Sequence, residues 1–342
     1  MGRIKHKEFG SDFHYCFNKK WLSQKPNQFL TAKTNFISGR AALYSLIQYG
    51  IKTHNWNNIY LPSYYCHEVE DYIKDLPVKI IIYKDNPLNK KIINLKEEQN
   101  SAIITVDYFG NKKHVEKTYQ ETSIIKDVTH NLKSIKKTET DYAFASLRKE
   151  LPVPTGGIIF SNKNKNLPEG KNVFEANKIA LLKLNAMFLK TQYLLGEIDD
   201  KELFRKHFID SEKAFSNKLK DAKNSYLSNE ILKHLEITSI LDQKQKNISF
   251  VQENLNKAAK KNIYKNTYGL IFKFSNGDLR EKFKSYLISN SIYPAILWPN
   301  QISLIDKELE KTILFIHVDY RYSEKDLNKI IIKINSFFNE KI

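Results

Sequence analysis

The feature that most restricts what this chain can fold into is a series of short apolar runs separated by helical stretches. Asn58 to Leu61, Val78 to Tyr83, Ser101 to Tyr108, Ser123 to Val128, Tyr142 to Ser146 and Gly157 to Ser161 each have the length and the Ile, Val and aromatic content of a strand. Near-continuous apolar runs belong to strands buried on both faces, which is the habit of parallel sheets flanked by helices. An α/β fold with a mostly parallel central sheet is therefore expected. From about 165 to 260 the chain is charged and helical, with no proline after Pro168. Strands then return at Tyr268 to Phe274 and Ile313 to Val318, with helices at Asp278 to Ser289 and Glu324 to Phe338. That last part has the pattern of a small α+β unit. A length of 342 residues suits one large domain and a smaller one. The expected division is an arm over 1–30, a large domain over 31–220 and a small domain over 221–342.

Composition narrows the function classes. Hydrophobic residues make up 41%, enough for a packed core. No apolar run approaches the roughly 18 residues of a membrane span. The first ten residues are polar and basic, so no secretory signal is expected, and a cytoplasmic protein is the expectation. Two cysteines, Cys16 and Cys66, make neither a disulfide framework nor a zinc set. The formal charge of +17 is compatible with anionic substrates. Its lysines are spread along the chain, and no zinc finger or ribonucleoprotein motif accompanies them, so a nucleic-acid partner is not expected.

Three local features carry chemistry. Ser38-Gly39-Arg40-Ala41-Ala42 opens a helix whose apolar face is Leu43, Leu46, Ile47 and Gly50. Ser38 is an N-cap residue, and Gly50 is placed to end the helix. Free N–H groups at such an N-terminus can hold a phosphate, with Gly39 allowing close approach. A plain helix cap is the alternative. Second, the run Ser123 to Val128 ends in Asp127, followed by Thr129 and His130. Ligands of parallel sheets bind beyond the carboxyl ends of the strands, where Asp127 could pair with a protonated ring nitrogen. Turn capping is the alternative, and Asp107 offers the same choice. Third, Ser146-Leu147-Arg148-Lys149 leaves an apolar strand and precedes a Pro-rich turn and Gly156-Gly157. The Ser146 hydroxyl can bind phosphate, and Lys149 can attack a carbonyl once its amine is desolvated. A solvated loop lysine is the alternative.

In order and content these segments resemble the DegT/StrS-type aminotransferases, best known for sugar-nucleotide transaminases. Ser38 to Ala42 resembles that family's Ser-Gly-Thr-x-Ala turn, and Leu61-Pro62-Ser63-Tyr64-Tyr65 its Pro-Ser-x-Thr segment. Asp107 to Gly110 resembles its Tyr/Phe-Gly strand end, Asp127 to His130 its Asp-x-x-Gln/His, and Ser146 to Gly157 its Ser…Lys…Gly-Gly segment. The match is closest over about 35 to 160. Arg40 stands where the family has Thr, the Ser-to-Lys gap is shorter, and Cys66-His67 replaces a frequent aromatic.

The resemblance implies fold type I and pyridoxal 5′-phosphate (PLP) as cofactor. It implies that Lys149 carries the cofactor covalently and shuttles the substrate proton. It implies that Asp127 keeps the pyridine nitrogen protonated and that His130 touches the phenolic side. Ser38, Gly39, Arg40 and Ser146 would hold phosphate. Tyr65 would stack on the ring, with Tyr64 and His67 as the other candidates. Arg148 and Arg321 are candidates for substrate binding, a salt bridge from Arg321 to Asp319 or Glu324 being its alternative. The implied reaction moves an amino group from a glutamate-like donor to a keto sugar nucleotide, in a homodimer, for glycan or secondary-metabolite synthesis. Two alternatives stand: other PLP chemistry (amino-acid transaminase, lyase or dehydratase), or a non-enzymatic binder. No metal is implied.

Overall fold

The computed structural model describes residues 8–15, 18–27, 29, 34–89, 95–110, 119–215 and 219–339. After a two-residue strand in the arm, β1 (Phe9–Gly10), the apolar runs assemble into one seven-stranded sheet. Its members are β2 (Thr34–Phe36), β3 (Asn58–Pro62), β4 (Lys79–Tyr83), β5 (Ser101–Val106), β6 (Thr122–Asp127), β7 (Tyr142–Ser146) and β8 (Gly157–Phe160), in the order β2-β8-β7-β6-β5-β3-β4. Strands β3 to β7 are mutually parallel. β8 runs antiparallel to β7, and β2 antiparallel to β8. Every residue of the inner strand β5 is buried, as a continuous apolar run demands. The chain leaves β3 for β4 on one side and returns to β5 on the other. That reversal opens a crevice at the carboxyl ends of β3 and β5.

Helix α1 (Gly39–His54) packs on β7 and β8. Its end corrects the sequence expectation. The helix passes through Gly50 and stops at Asn55, which takes the left-handed conformation at φ 54°. Gly50 is buried in the helix because a Cβ there would lie 1.9 Å from Cε3 of Trp56. Helix α2 (His67–Ile73) follows β3, and α3 (Phe174–Leu195) packs along α4 (Lys201–Lys213).

Helix α5 (Tyr226–Lys233) packs on one core, and α6 (Ile237–Asn254) bridges that core and a second. Leu232, Leu235, Ile237, Ile240 and Leu241 pack with Val128, Leu132 and Leu147 of the large sheet's surroundings. Ile248 and Val251, further along α6, pack with the second core. The chain past the expected boundary at 221 thus begins in the large domain's core and crosses to the other within α6. The second core lies over β9 (Ile263–Tyr264), β10 (Leu270–Lys273) and β12 (Ile313–Ile316), with β10 central and antiparallel to both neighbours. Helix α7 (Lys257–Lys260), α8 (Gly277–Ser289), the short β11 (Ile292–Tyr293), α9 (Leu304–Thr312) and α10 (Glu324–Asn339) complete it.

The described part of the arm is tied down. β1 pairs with β11 in parallel, the Gly10 amide donates to the Tyr322 hydroxyl at 2.7 Å, and Lys190 Nζ donates to the Asp12 carbonyl at 2.7 Å. Among the described residues no helix is long and apolar enough to cross a membrane.

Candidate active site

Because β3 to β7 are parallel, their carboxyl ends share one edge. Tyr65 lies just past β3, Asp107 to Phe109 past β5, Asp127 ends β6 and Ser146 ends β7. The N-terminus of α1 reaches the same edge. A Cβ on Gly39 would lie 2.9 Å from Cβ of Ser146, and one on Gly157 would lie 2.1 Å from the Ser38 carbonyl oxygen. Only glycine at both positions lets the helix start this close to the strand ends. Ser38 caps α1, its hydroxyl accepting from the Ala41 amide at 3.1 Å. The amides of Gly39 and Arg40 precede the first intrahelical bond, which Ala42 makes to Ser38 at 3.0 Å. With the Ser146 side chain beside them, these groups have the donors that a cradle for an anion at a helix N-terminus needs.

Asp127 is 5% exposed. One carboxylate oxygen accepts from the Thr129 amide at 2.9 Å and the other from the Tyr65 hydroxyl at 2.7 Å. Burial raises the pKa of its carboxyl, the bonds from the Thr129 side chain and amide and from Tyr65 only partly offset that rise, and the charge of Asp107 adds to it. No Lys, Arg or His of the described residues forms an ion pair with it. His130, three residues on, is sandwiched in an aromatic stack, 4.0 Å from Tyr268 and 4.9 Å from Trp298 between ring centroids. Its Nδ1 accepts from the Phe109 amide at 3.4 Å, so the proton of the neutral ring belongs on Nε2. Burial first, then the charges of Lys149 and Lys244, push its pKa down to about 3, and the ring is neutral at physiological pH.

Lys149 closes a single 3-10 turn, Leu147–Lys149, directly after β7. It is exposed, and its amine makes no hydrogen bond or ion pair with the described residues. It shares a small cavity with Phe13, Lys244, Tyr268 and His317, and its charge is felt at His130 and at the Cys66 thiol. The turn is anchored next door. Glu150 is buried in an ion pair with Lys244 of α6 and accepts from the Leu132 amide at 3.2 Å. The Leu147 amide donates to the Gly156 carbonyl at 3.0 Å, and the Gly156 amide to that of Ile37 at 2.8 Å, which ties the lysine loop to the entry of α1.

The arginines singled out in the sequence are engaged elsewhere. Arg40 has its backbone in the cradle, but its side chain reaches Glu68 at 2.6 Å and lies over the Tyr72 ring. Arg148 meets Glu212 at 2.5 Å, a carboxylate that Lys183 also holds at 2.7 Å. Arg321 makes a paired contact with Asp319, 2.8 Å on each oxygen, and donates to the Asp12 carbonyl at 3.0 Å. Its side chain is 1% exposed, so the expected surface pair is a buried one that staples the arm. The Asp107 carboxylate accepts from the Asn131 side chain at 2.9 Å.

Tyr65 does not present its ring as a platform. Its hydroxyl goes to Asp127, and its ring meets Trp298 at 5.7 Å and 68°. The Tyr64 hydroxyl donates to the Leu297 carbonyl at 3.1 Å, and His67 begins α2 with its Nε2 buried and unpartnered. Trp298, Gln301 and Tyr268, all beyond residue 260, also meet these groups and were not expected from the sequence. The Leu-Trp-Pro of 297–299 was the one local signal, since the chain has only three tryptophans.

No family model matches this sequence, and no curated protein does. Among solved structures, 747 chains match the fold. A putative sugar aminotransferase from Streptococcus pneumoniae in its PLP form superimposes with a TM-score of 0.59 at 11% identity, covering 98% of this chain and 100% of that one. The chain has the fold type I aminotransferase fold. A DegT DnrJ EryC1 StrS aminotransferase from Brucella abortus gives 0.53 at 16% identity, over 90% of this chain and 86% of that one. The NtdA protein of Bacillus subtilis, with bound cofactor PMP, gives 0.58 at 10% identity, over 94% and 79%.

Proposed function

We propose that this chain is a PLP-dependent aminotransferase that moves an amino group from a glutamate-like donor to a keto sugar carried on a nucleotide. The observation that carries the reading is Asp127, a buried acid with no cation beside it among the described residues. A carboxylate in that setting is costly unless a positive charge arrives, and a protonated pyridine nitrogen is such a charge. The remaining groups fit the same cofactor. The α1 amides with Ser38 and Ser146 suit its phosphate, the His130 Nε2–H suits its phenolic oxygen, and Lys149 offers an amine with no partner among the described residues.

When bound, PLP supplies an electron sink. The chain's residues do the rest. Asp127 holds the proton on the ring nitrogen. Lys149 Nζ would take the proton from the substrate α-carbon and carry it through the 1,3-shift that transamination requires. The aromatic stack of Tyr268, His130 and Trp298 keeps water from that side of the crevice. A sugar acceptor is supported by a solved relative of the fold that is named a putative sugar aminotransferase, and the nucleotide carrier rests on the sequence resemblance. Glycan or secondary-metabolite synthesis in the cytoplasm is the setting such a substrate implies. A homodimer is part of the proposal: Phe174, Leu181 and Phe188 recur at seven-residue spacing on α3 and are 70%, 57% and 41% exposed, a face apolar enough to receive a second copy.

The test is a half-reaction. The protein mixed with PLP should be yellow, bleach with glutamate as the cofactor takes the amine form, and recover colour with a keto sugar nucleotide. Bleaching without recovery by any keto sugar nucleotide, but with recovery by a 2-oxo acid, would replace the sugar acceptor with an amino-acid one. A protein that stays colourless with PLP would overturn the proposal.

A further inference from the structure

We propose that Tyr65 is a positioning residue for Asp127, and that its hydroxyl, rather than its ring, is what the site uses. This rests on the reading of the crevice as a PLP pocket. Asp127 ends β6 and could turn about its side-chain bonds. Two donors stop it. The Thr129 amide fixes one oxygen at 2.9 Å, and Thr129 is itself tied to β7, its hydroxyl accepting from the Ser146 amide at 3.0 Å. The Tyr65 hydroxyl fixes the other oxygen at 2.7 Å, from the far side of the crevice at the end of β3. A carboxylate can only accept, so the phenol proton points at Asp127. Tyr65 cannot readily lose that proton: burial, then the charge of Asp127, hold its pKa well above the ordinary value. With Thr129 holding one oxygen and Tyr65 the other, the carboxylate plane is set.

Tyr65 is held in turn by the small domain. The Gln301 carboxamide donates at 2.9 Å to both the Tyr65 and the Trp298 carbonyls, and the Trp298 ring meets the Tyr65 ring edge-on. The chain from Gln301 through Tyr65 to Asp127 links the small domain to the acid that faces the cofactor nitrogen. A stacking aromatic would need its ring face open. Tyr65 is 4% exposed, with its hydroxyl committed and its ring packed against Trp298.

The experiment is a double-mutant cycle on PLP affinity, read by fluorescence titration, with Tyr65→Phe, Asp127→Asn and the pair. Phe keeps the ring and its packing and removes only the donor. In the parent background Tyr65→Phe should weaken PLP binding about tenfold, the size of one charge-assisted hydrogen bond. In the Asp127→Asn background it should change affinity less than about twofold, because the group it acts through has gone. Tyr65→His, which keeps a ring and a donor, should recover part of the loss. Equal weakening in both backgrounds would mean a packing role and overturn the proposal, as would no weakening in the parent. A second measurement needs no cofactor. The hydroxyl bond favours the ionised carboxylate, so the Asp127 titration, followed by 13C NMR, should move to higher pH in Tyr65→Phe. An unmoved titration overturns the proposal. A parent that takes up no PLP overturns the functional reading, and the NMR titration then decides the hold of Tyr65 on Asp127 alone.

Discussion

Asp127 and Asp319 are buried to the same degree, each 5% exposed, and their surroundings are opposite. Asp319 faces the Arg321 guanidinium in a paired contact. Burial works against its charge, but Arg321 outweighs burial and pulls its pKa well below the carboxylate range. Asp127 has burial and two neutral donors, and its pKa rises. One carboxylate is finished within the chain; the other waits for a charge from outside. The same contrast separates the cations. Arg40, Arg148 and Arg321 are each spent on a carboxylate, while Lys149 has no partner among the described residues. A residue type does not mark a site, but an uncompensated group at a shared strand edge does.

The largest expected effect separates the two acids by stability. Asp319→Asn leaves the Arg321 charge buried without its counterion and should cost about 3–5 kcal/mol in urea unfolding at neutral pH. Asp127→Asn should leave the cofactor-free protein as stable as the parent or more so, while abolishing most transamination. A loss in Asp127→Asn as large as in Asp319→Asn would erase the distinction.

The pH dependence sharpens it. Asp319 has a lowered folded pKa, so its contribution is present above its unfolded value of 3.8 and fades as pH falls below that. The stability gap between parent and Asp319→Asn should therefore narrow in acid. Asp127 has a raised folded pKa, so its contribution is full at low pH and is lost as pH rises through that value. Asp127→Asn should gain on the parent toward neutral pH. Melting curves at several pH values check both signs.

Smaller effects test the packing around the cradle. Gly50→Ala would press on the Trp56 ring and should cost about 1–3 kcal/mol, with the cradle's PLP affinity nearly unchanged. Arg40→Ala breaks a pair whose Glu68 partner is 73% exposed, and should cost under about 1 kcal/mol. A large loss of PLP affinity in Arg40→Ala would show that its side chain leaves Glu68 for the phosphate.

Much of the large sheet was legible because each strand is a local apolar run, and β7 is found at its expected residues, Tyr142–Ser146. The strand-end acid and the Ser146 to Lys149 segment were legible for the same reason. The end of α1 was not, because the ring that fills the space at Gly50 belongs to Trp56, beyond the helix. Of the arginine partners only Asp319, two residues from Arg321, was legible, since Glu212 lies 64 residues from Arg148 and the arm carbonyl 309 residues from Arg321. Trp298 and Gln301 reach the site through the tertiary fold alone, from a loop whose local pattern names no role.

The most direct test of the central claim is borohydride reduction of the PLP-loaded protein, followed by peptide mapping. The uncompensated amine of Lys149 predicts a single pyridoxyl adduct in the peptide that carries it, and none in Lys149→Ala. An adduct on another lysine of the parent, or a Lys149→Ala protein that still binds PLP covalently, would contradict the account.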